Sequence, residues 1–352
     1  MNGYENNGDG RLYGQGRVDS AGLMTQTGSP LYEGSQGKQS EALADRRVLF
    51  MGSPRSGKTS ILSVVFEGTL PYDTLGMMPT LQQAAYQMVG GITFYDFPGI
   101  DYYSETQCSM PDAAVFEGDD TLLVFVIDSQ GDLPTALATL HAVMRTAQSA
   151  NAHIKINVFI NKVDSLSEEL KHDIHHDIQQ TVWKTMRYEN MNSAMVQFFL
   201  TSIFDGNINE AMSRVIQNLV PHRSSLQTIL DSLCSKSGLD KVFLFDIGTR
   251  IYVAVDSSPT DPQFYRFACD TLDAMENVGQ QCHEYVQPGA DDSMVMQKVT
   301  VDMEGGTRVF IYQVNAYLSL LCLGSAHVTR QRSLLEFNGS KVAKAIRQII
   351  PS

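Results

Sequence analysis

Residues 52 to 60 read GSPRSGKTS, set between the apolar run RRVLFM and the helical text ILSVVFEG. Gly52, four further residues and then Gly57–Lys58–Thr59, in a strand–turn–helix context, constrain this chain more than any other feature. Such a loop needs a strand that ends at the ligand-facing edge of a sheet. It also needs a helix whose N-terminus points at an anion. Gly52 and Gly57 let the backbone curl so that its N–H groups face a phosphate. Lys58 places a positive charge between the β- and γ-phosphates, and Thr59 offers a hard oxygen to Mg²⁺. The expected phosphate cradle is Gly52, Ser53, Pro54, Arg55, Ser56, Gly57, Lys58, Thr59 and Ser60. Pro54 and Arg55 stand where such loops often hold small residues.

The cradle alone does not choose the base. NKVD, Asn161–Lys162–Val163–Asp164, closes the apolar run IKINVFI. An α/β sheet offers ligand-facing loops at that position. Guanine carries an N1–H and an N2 amino group on one edge, and a fixed carboxylate at Asp164 accepts from both. Adenine lacks that pair and would leave the carboxylate unpaired, which is costly in a dehydrated pocket. This disfavours an ATP-using enzyme. Asn161 is placed to tie the loop to the phosphate cradle, and the Lys162 stem to cover the base. TSIFD, further on, offers backbone groups of Ser202 and Ile203 to the guanine edge.

A third phrase, DFPG (Asp96 to Gly99), ends the run ITFY. Its carboxylate suits Mg²⁺ held through water, and the Gly99 amide suits a γ-phosphate sensor. Thr80, between Thr59 and Asp96, is the expected switch threonine and a further metal ligand. The ligands implied are therefore GTP or GDP with Mg²⁺.

The rest of the chain supplies a frame for these loops. The runs 92–97, 121–128, 154–161 and 196–202 read as strands, and 133–150 and 166–186 as helices, with Ser165 and Ser167 available as caps. Their alternation predicts a mostly parallel sheet covered on both faces. A helix stopped at Pro221 ends this part. Then come a helix ending at Gly238, a hairpin around Gly248, a long helix from 261, three strands within 293–325 and a terminal helix. That order predicts an α/β sandwich with one antiparallel, one-sided sheet that presents an edge or a helical face to a second chain. Residues 1–45, rich in Gly, Asn, Ser and Gln, predict a disordered tail. The expected division is a tail over 1–45, a nucleotide domain over 46–222 and a second domain over 223–352.

Composition narrows the partners. A formal net charge of −13 on 352 residues would repel a nucleic-acid backbone. Five scattered cysteines without a CxxC point to a reducing compartment. No run approaches the about 18 apolar residues of a membrane span, and no secretory, myristoylation or prenylation signal is read, so no direct membrane insertion is expected. His172, His175 and His176 lie among acids in a polar helix and read as a solvated face. Met294 and Met296, at period two, read as the core face of a strand.

The order and spacing of these motifs resemble the Ras-like small GTPases. Whole phrases go further: VLFMGSPRSGKTSILSVVF, YDFPG, VFVIDSQ, NKVDSLSEELK, FFLTSIFD and KVFLFDIGTRIYVAVDSSPTD are similar to the Rag GTPases of the RagC/RagD class and their fungal counterparts. The likeness covers about 46–350. It implies a Ras-like P-loop GTPase domain followed by a roadblock/longin-like α/β domain. It implies GTPase activity and pairing with a RagA/RagB-type chain as a heterodimer. It also implies a Ragulator-like scaffold on the lysosomal or vacuolar membrane, and signalling of amino-acid sufficiency to TORC1. Members of this class usually carry Gln after the DxxG glycine to orient the attacking water; this chain has Ile100. Pro54 would also crowd the γ-phosphate and an incoming arginine finger. Two readings follow: a slow GTPase switch, or an inert pseudo-GTPase scaffold that keeps its nucleotide permanently.

Overall fold

The computed structural model describes residues 46–88, 90–101, 110–192, 195–259, 262–283, 298–302, 306–325 and 332–350. The expected N-terminal tail, Cys108, Met294 and Met296 lie outside the described residues.

The first sheet has six strands in the order β2-β3-β1-β4-β5-β6. These are β1 (Arg46–Gly52), β2 (Ala84–Met88), β3 (Ile92–Asp96), β4 (Thr121–Asp128), β5 (Lys155–Asn161) and β6 (Val196–Thr201). β2 runs antiparallel to β3, and the other neighbours are parallel. The central strands read as unbroken apolar text because both faces are covered: β4 is buried through its first seven residues. Helices α1 (Lys58–Glu67), α2 (Leu133–Ala150), α3 (Glu168–Tyr188) and α4 (Asn207–Ile216) supply the cover. Ser167 caps α3 by accepting from the Leu170 amide at 3.3 Å.

The sequence reading missed β2, whose text AAYQM holds few strand-forming residues. It exists as an edge strand because β3 supplies a hydrogen-bonding partner from Ala84 against Asp96 to Met88 against Ile92. α4 ends at Ile216 instead of running to Pro221. There the chain turns, with the Leu219 amide donating to Ile216 O at 2.7 Å and Asn218 Nδ2 to Val215 O at 3.3 Å.

The second sheet is antiparallel throughout, in the order β8-β7-β11-β10-β9. Its strands are β7 (Lys241–Asp246), β8 (Tyr252–Val255), β9 (Lys298–Asp302), β10 (Thr307–Gln313) and β11 (Leu318–Ser325). Helix α5 (Arg223–Ser237) precedes it, α6 (Pro262–His283) follows the β7–β8 hairpin, and α7 (Arg332–Ile349) closes the chain. The expectation of a one-sided sheet is corrected here. Val242 and Leu244 of β7 pack in a core with Leu230 of α5 and Ile346 of α7, while Phe243 and Phe245 pack in another with Tyr265 and Leu272 of α6. Alternation with period two gives each face its own apolar set, and helices cover both.

The two sheets share one core. Ile208, Met212 and Val215 of α4 belong to the same cluster as Phe50 and Phe159 of the first sheet and Val253 of the second. Ser213 Oγ, fully buried on α4, accepts from the Tyr252 amide of β8 at 3.0 Å.

Candidate nucleotide site

The loops that follow β1, β3, β4, β5 and β6 all leave the carboxyl ends of adjacent parallel strands, where open α/β sheets place ligands. The phosphate loop is the first. Gly57 stands before α1 at φ 96°, a conformation disfavoured for other residues, and a Cβ there would meet Asn161 Nδ2 at 2.5 Å. Lys58 is buried and its ammonium turns back onto the loop, donating to Gly52 O at 3.0 Å and Ser53 O at 2.9 Å. Ser56 is buried, whereas Pro54 and Arg55 are exposed, Arg55 at φ 60°. Thr59 and Ser60 lie partly buried in the first turn of α1.

Thr59, Thr80 and Asp96 meet although they come from three segments. Thr59 Oγ1 donates to Asp96 Oδ2 at 2.7 Å, Thr80 Oγ1 donates to the same oxygen at 3.1 Å, and the two hydroxyls are 2.5 Å apart. Asp96 Oδ1 is buried without a hydrogen-bond partner. Burial raises the Asp96 carboxyl pKa, and the Thr59 hydrogen bond, the Lys58 charge and the Thr80 hydrogen bond oppose it. An all-oxygen set with one orphaned carboxylate oxygen fits a hard divalent cation such as Mg²⁺.

Gly99 lies against the phosphate loop so closely that a Cβ would meet Pro54 Cα at 2.6 Å. Ile100 follows, 3% exposed, in the core with Leu49, Met51 and Phe125, and its amide donates to Gly52 O at 3.0 Å. The Ile100 side chain therefore turns into the sheet's core.

At the other end, Asn161 Nδ2 donates to Ser56 O at 3.0 Å, and Asn161 Oδ1 accepts from Thr201 Oγ1 at 3.2 Å. Lys162 adopts φ 64°, and its ammonium binds Arg55 O at 2.8 Å and Asp128 Oδ2 at 2.6 Å. Asp164 Oδ1 accepts from Ser202 Oγ at 2.8 Å. The Ser202 amide is engaged with Asn207 Oδ1 at 2.8 Å, so Ser202 serves the carboxylate with its hydroxyl instead of offering its N–H to a base. Ile203 is half-buried and packs on the shared core.

Sequence reasoning gave no role to DSQ, Asp128 to Gln130, at the end of β4. Asp128 pairs with Lys162, while Ser129 Oγ and Gln130 Nε2 both donate to Lys162 O, at 3.2 and 2.9 Å. Gln130 Nε2 also reaches Ser165 Oγ at 2.8 Å. The sequence shows three polar residues after an apolar run, but not that this strand lies beside the one that NKVD closes. The histidines of α3 do not form a metal site: His172 is 82% exposed, His175 lies against Phe198, and no group of three or more metal-binding side chains gathers among the described residues.

Comparison with known proteins follows the same lines. The family described as Gtr1/RagA G protein conserved region matches residues 47–272. The GTP-binding protein gtr2 of Schizosaccharomyces pombe is 37% identical over 86% of this chain and 98% of its own. Ras-related GTP-binding protein D of Mus musculus is 34% identical over 86% of this chain and 68% of its own. Among solved structures, Myxococcus xanthus MglB aligns with 36% of this chain and 96% of its own, at 12% identity and a TM-score of 0.31.

Proposed function

This chain belongs to the Gtr1/RagA family of G proteins, within its Gtr2/RagC/RagD class, and from that premise we propose that it is a guanine-nucleotide switch with slow GTP hydrolysis. The observation that carries the reading is the Asn161 bridge. By binding Ser56 O, Asn161 holds the base loop and the phosphate loop in one frame, with Asp164 steadied by Ser202. The phosphate cradle and a carboxylate suited to guanine thus stand at a fixed separation.

In this reading the work is divided among these residues. Lys58 exchanges its loop carbonyls for the β- and γ-phosphates. Asp164 accepts from guanine N1–H and N2, and the Lys162 stem, held by Asp128, lies along the base. Thr59, Thr80 and Asp96, the last through water, would hold Mg²⁺, which would supply positive charge against the phosphates. Gly99 offers its amide toward the γ-phosphate. Hydrolysis is slow because Ile100 is buried in the core and holds no water, and because Pro54 occupies the space against Gly99.

We extend the reading to a Rag heterodimer. In it the second, roadblock-type domain pairs with a RagA/RagB-type chain, and a Ragulator-like scaffold holds the pair on the lysosomal or vacuolar membrane to report amino-acid sufficiency to TORC1. No helix among the described residues is long and apolar enough to cross a membrane, which suits attachment through partners. The proposed domains are 46–222 and 223–352.

The test of binding is to purify the chain, denature it and chromatograph what is released: guanine nucleotide is expected, and adenine nucleotide would overturn the base reading. The competing reading, an inert scaffold, is favoured by the same Ile100 burial. Single-turnover hydrolysis, with and without partner extract, separates the two.

A further inference from the structure

Two aromatic rings from distant stretches of the chain meet beside the base loop. Tyr72, in the 3-10 turn Pro71–Gly76, lies edge-on to Phe204, with ring centroids 5.2 Å apart and planes at 63°. Tyr72 is 74% exposed and Phe204 42%, so the pair is not part of the core.

Both rings stand on stiff mounts. The turn that carries Tyr72 is fixed by Pro71, by the Asp73 amide on Leu70 O at 2.9 Å, and by Thr74 Oγ1 donating to Pro71 O at 2.8 Å; Thr74 is buried. Phe204 donates its amide to Ser202 Oγ at 3.1 Å, and that same hydroxyl donates to Asp164 Oδ1 at 2.8 Å. The second ring is therefore joined through one hydroxyl to the carboxylate assigned to the base.

The path of the chain gives the contact its meaning. From Thr59 at the start of α1, the chain passes through Tyr72 and reaches Thr80, whose hydroxyl returns to Thr59 and Asp96. The pairs Asn161–Ser56, Thr59–Thr80, Tyr72–Phe204 and Ser202–Asp164 then join the phosphate loop, the segment 59–80 and the base loop in one closed chain of contacts. In this chain of contacts the Tyr72–Phe204 pair is the link between the segment 59–80 and the loop that carries Ser202.

We propose that Tyr72 and Phe204 form a latch that slows the release of bound guanine nucleotide, with Tyr72 acting as a positioning residue through Phe204. The inference rests on the guanine reading above and adds a residue pair to it. The latch joins the base loop and not the Thr59–Thr80–Asp96 cluster. It therefore acts on the base end of the ligand and holds diphosphate and triphosphate alike.

The experiment uses the full chain loaded with mant-GDP or mant-GTP and chased with unlabelled nucleotide in a stopped-flow fluorimeter. Tyr72→Ala and Phe204→Ala are each expected to speed release by about 2- to 12-fold, the range that an edge-to-face aromatic pair supports. The factor should be the same for both nucleotides. Tyr72→Phe, which keeps the ring, should release at the parent rate, and the double alanine variant should be no faster than the faster single one. Tyr72 is largely exposed, so its variants should melt with the parent. Release unchanged in Tyr72→Ala, acceleration confined to the triphosphate, or effects of the two alanines that multiply would each overturn the latch. Failure of the parent chain to bind mant-GDP would overturn the guanine reading, and with it the latch.

Discussion

The Ile100 amide donates to the Gly52 carbonyl at 3.0 Å, fastening the first residue after the DFPG turn to the first residue of the phosphate loop. The side chain then fills a pocket with Leu49, Met51 and Phe125. In the proposed switch, packing occupies the position that would orient water. We expect Ile100→Ala to destabilise the chain by about 2–4 kcal/mol through the cavity it leaves. Single-turnover hydrolysis per folded molecule should not change. Urea unfolding and a hydrolysis time course check both, and a strong loss of rate without loss of stability would return Ile100 to the chemistry.

Base selection gives a second expectation. Asp164 faces Ser202 with one oxygen, and an amide in its place presents a donor where guanine also presents donors. Asp164→Asn should weaken GTP by about 1–3 kcal/mol, the cost of unmatched buried polar groups, and strengthen XTP, whose edge carries an acceptor. Competition titrations of the two nucleotides measure this. A mutant that keeps its preference for GTP would falsify the base-reading role.

The metal cluster supplies a third. Thr59 lies 2.7 Å from Asp96 Oδ2 and 2.5 Å from the Thr80 hydroxyl, beside an unpartnered carboxylate oxygen. Thr59→Asn removes a hydroxyl ligand that the triphosphate complex depends on more than the diphosphate complex does. The loss of affinity should be larger for GTP than for GDP when both are titrated in Mg²⁺. Equal losses would argue against Thr59 as a ligand.

These residues differ in how far the sequence could disclose them. Lys58, Asn161 and Asp164 are announced by spacing, because each belongs to a short phrase whose chemistry needs fixed neighbours. β4 and β5 are legible for a different reason: burial on both faces leaves continuous apolar text. β2 is not, since an edge strand written AAYQM takes its structure from β3. The support that Asp128, Ser129 and Gln130 give Lys162 depends on the pairing of β4 with β5, which no local pattern reports. Ile100 shows the same limit. Its identity was plain, but whether it faces the cleft or the core is decided by how the DFPG turn docks on β1.

Asp246 ends β7 inside the second sheet, and its burial has a consequence for pH. Its Oδ1 accepts from the Gly248 amide at 3.0 Å and the Thr249 amide at 3.3 Å, while Oδ2 is buried without a partner. Burial pushes its carboxyl up to about 6 from an ordinary 3.8, against the amides of Thr249 and Gly248, the Thr249 hydroxyl and the charge of Arg250. The folded chain thus holds this proton more tightly than the unfolded chain does. The stability it contributes is complete below pH 3.8 and is lost as pH rises through 6, to a total of about 3 kcal/mol. Asp246→Asn keeps an acceptor for both amides and removes the ionisation. The variant should therefore gain on the parent as pH rises, and the gap in urea unfolding free energy should be about 2 kcal/mol wider at pH 7.5 than at pH 4.5. The spacing of the two curves isolates the proton from any fixed effect of the substitution, because a packing change would shift both by the same amount. A gap that stays constant between the two pH values would show that Asp246 titrates alike in the folded and unfolded chain.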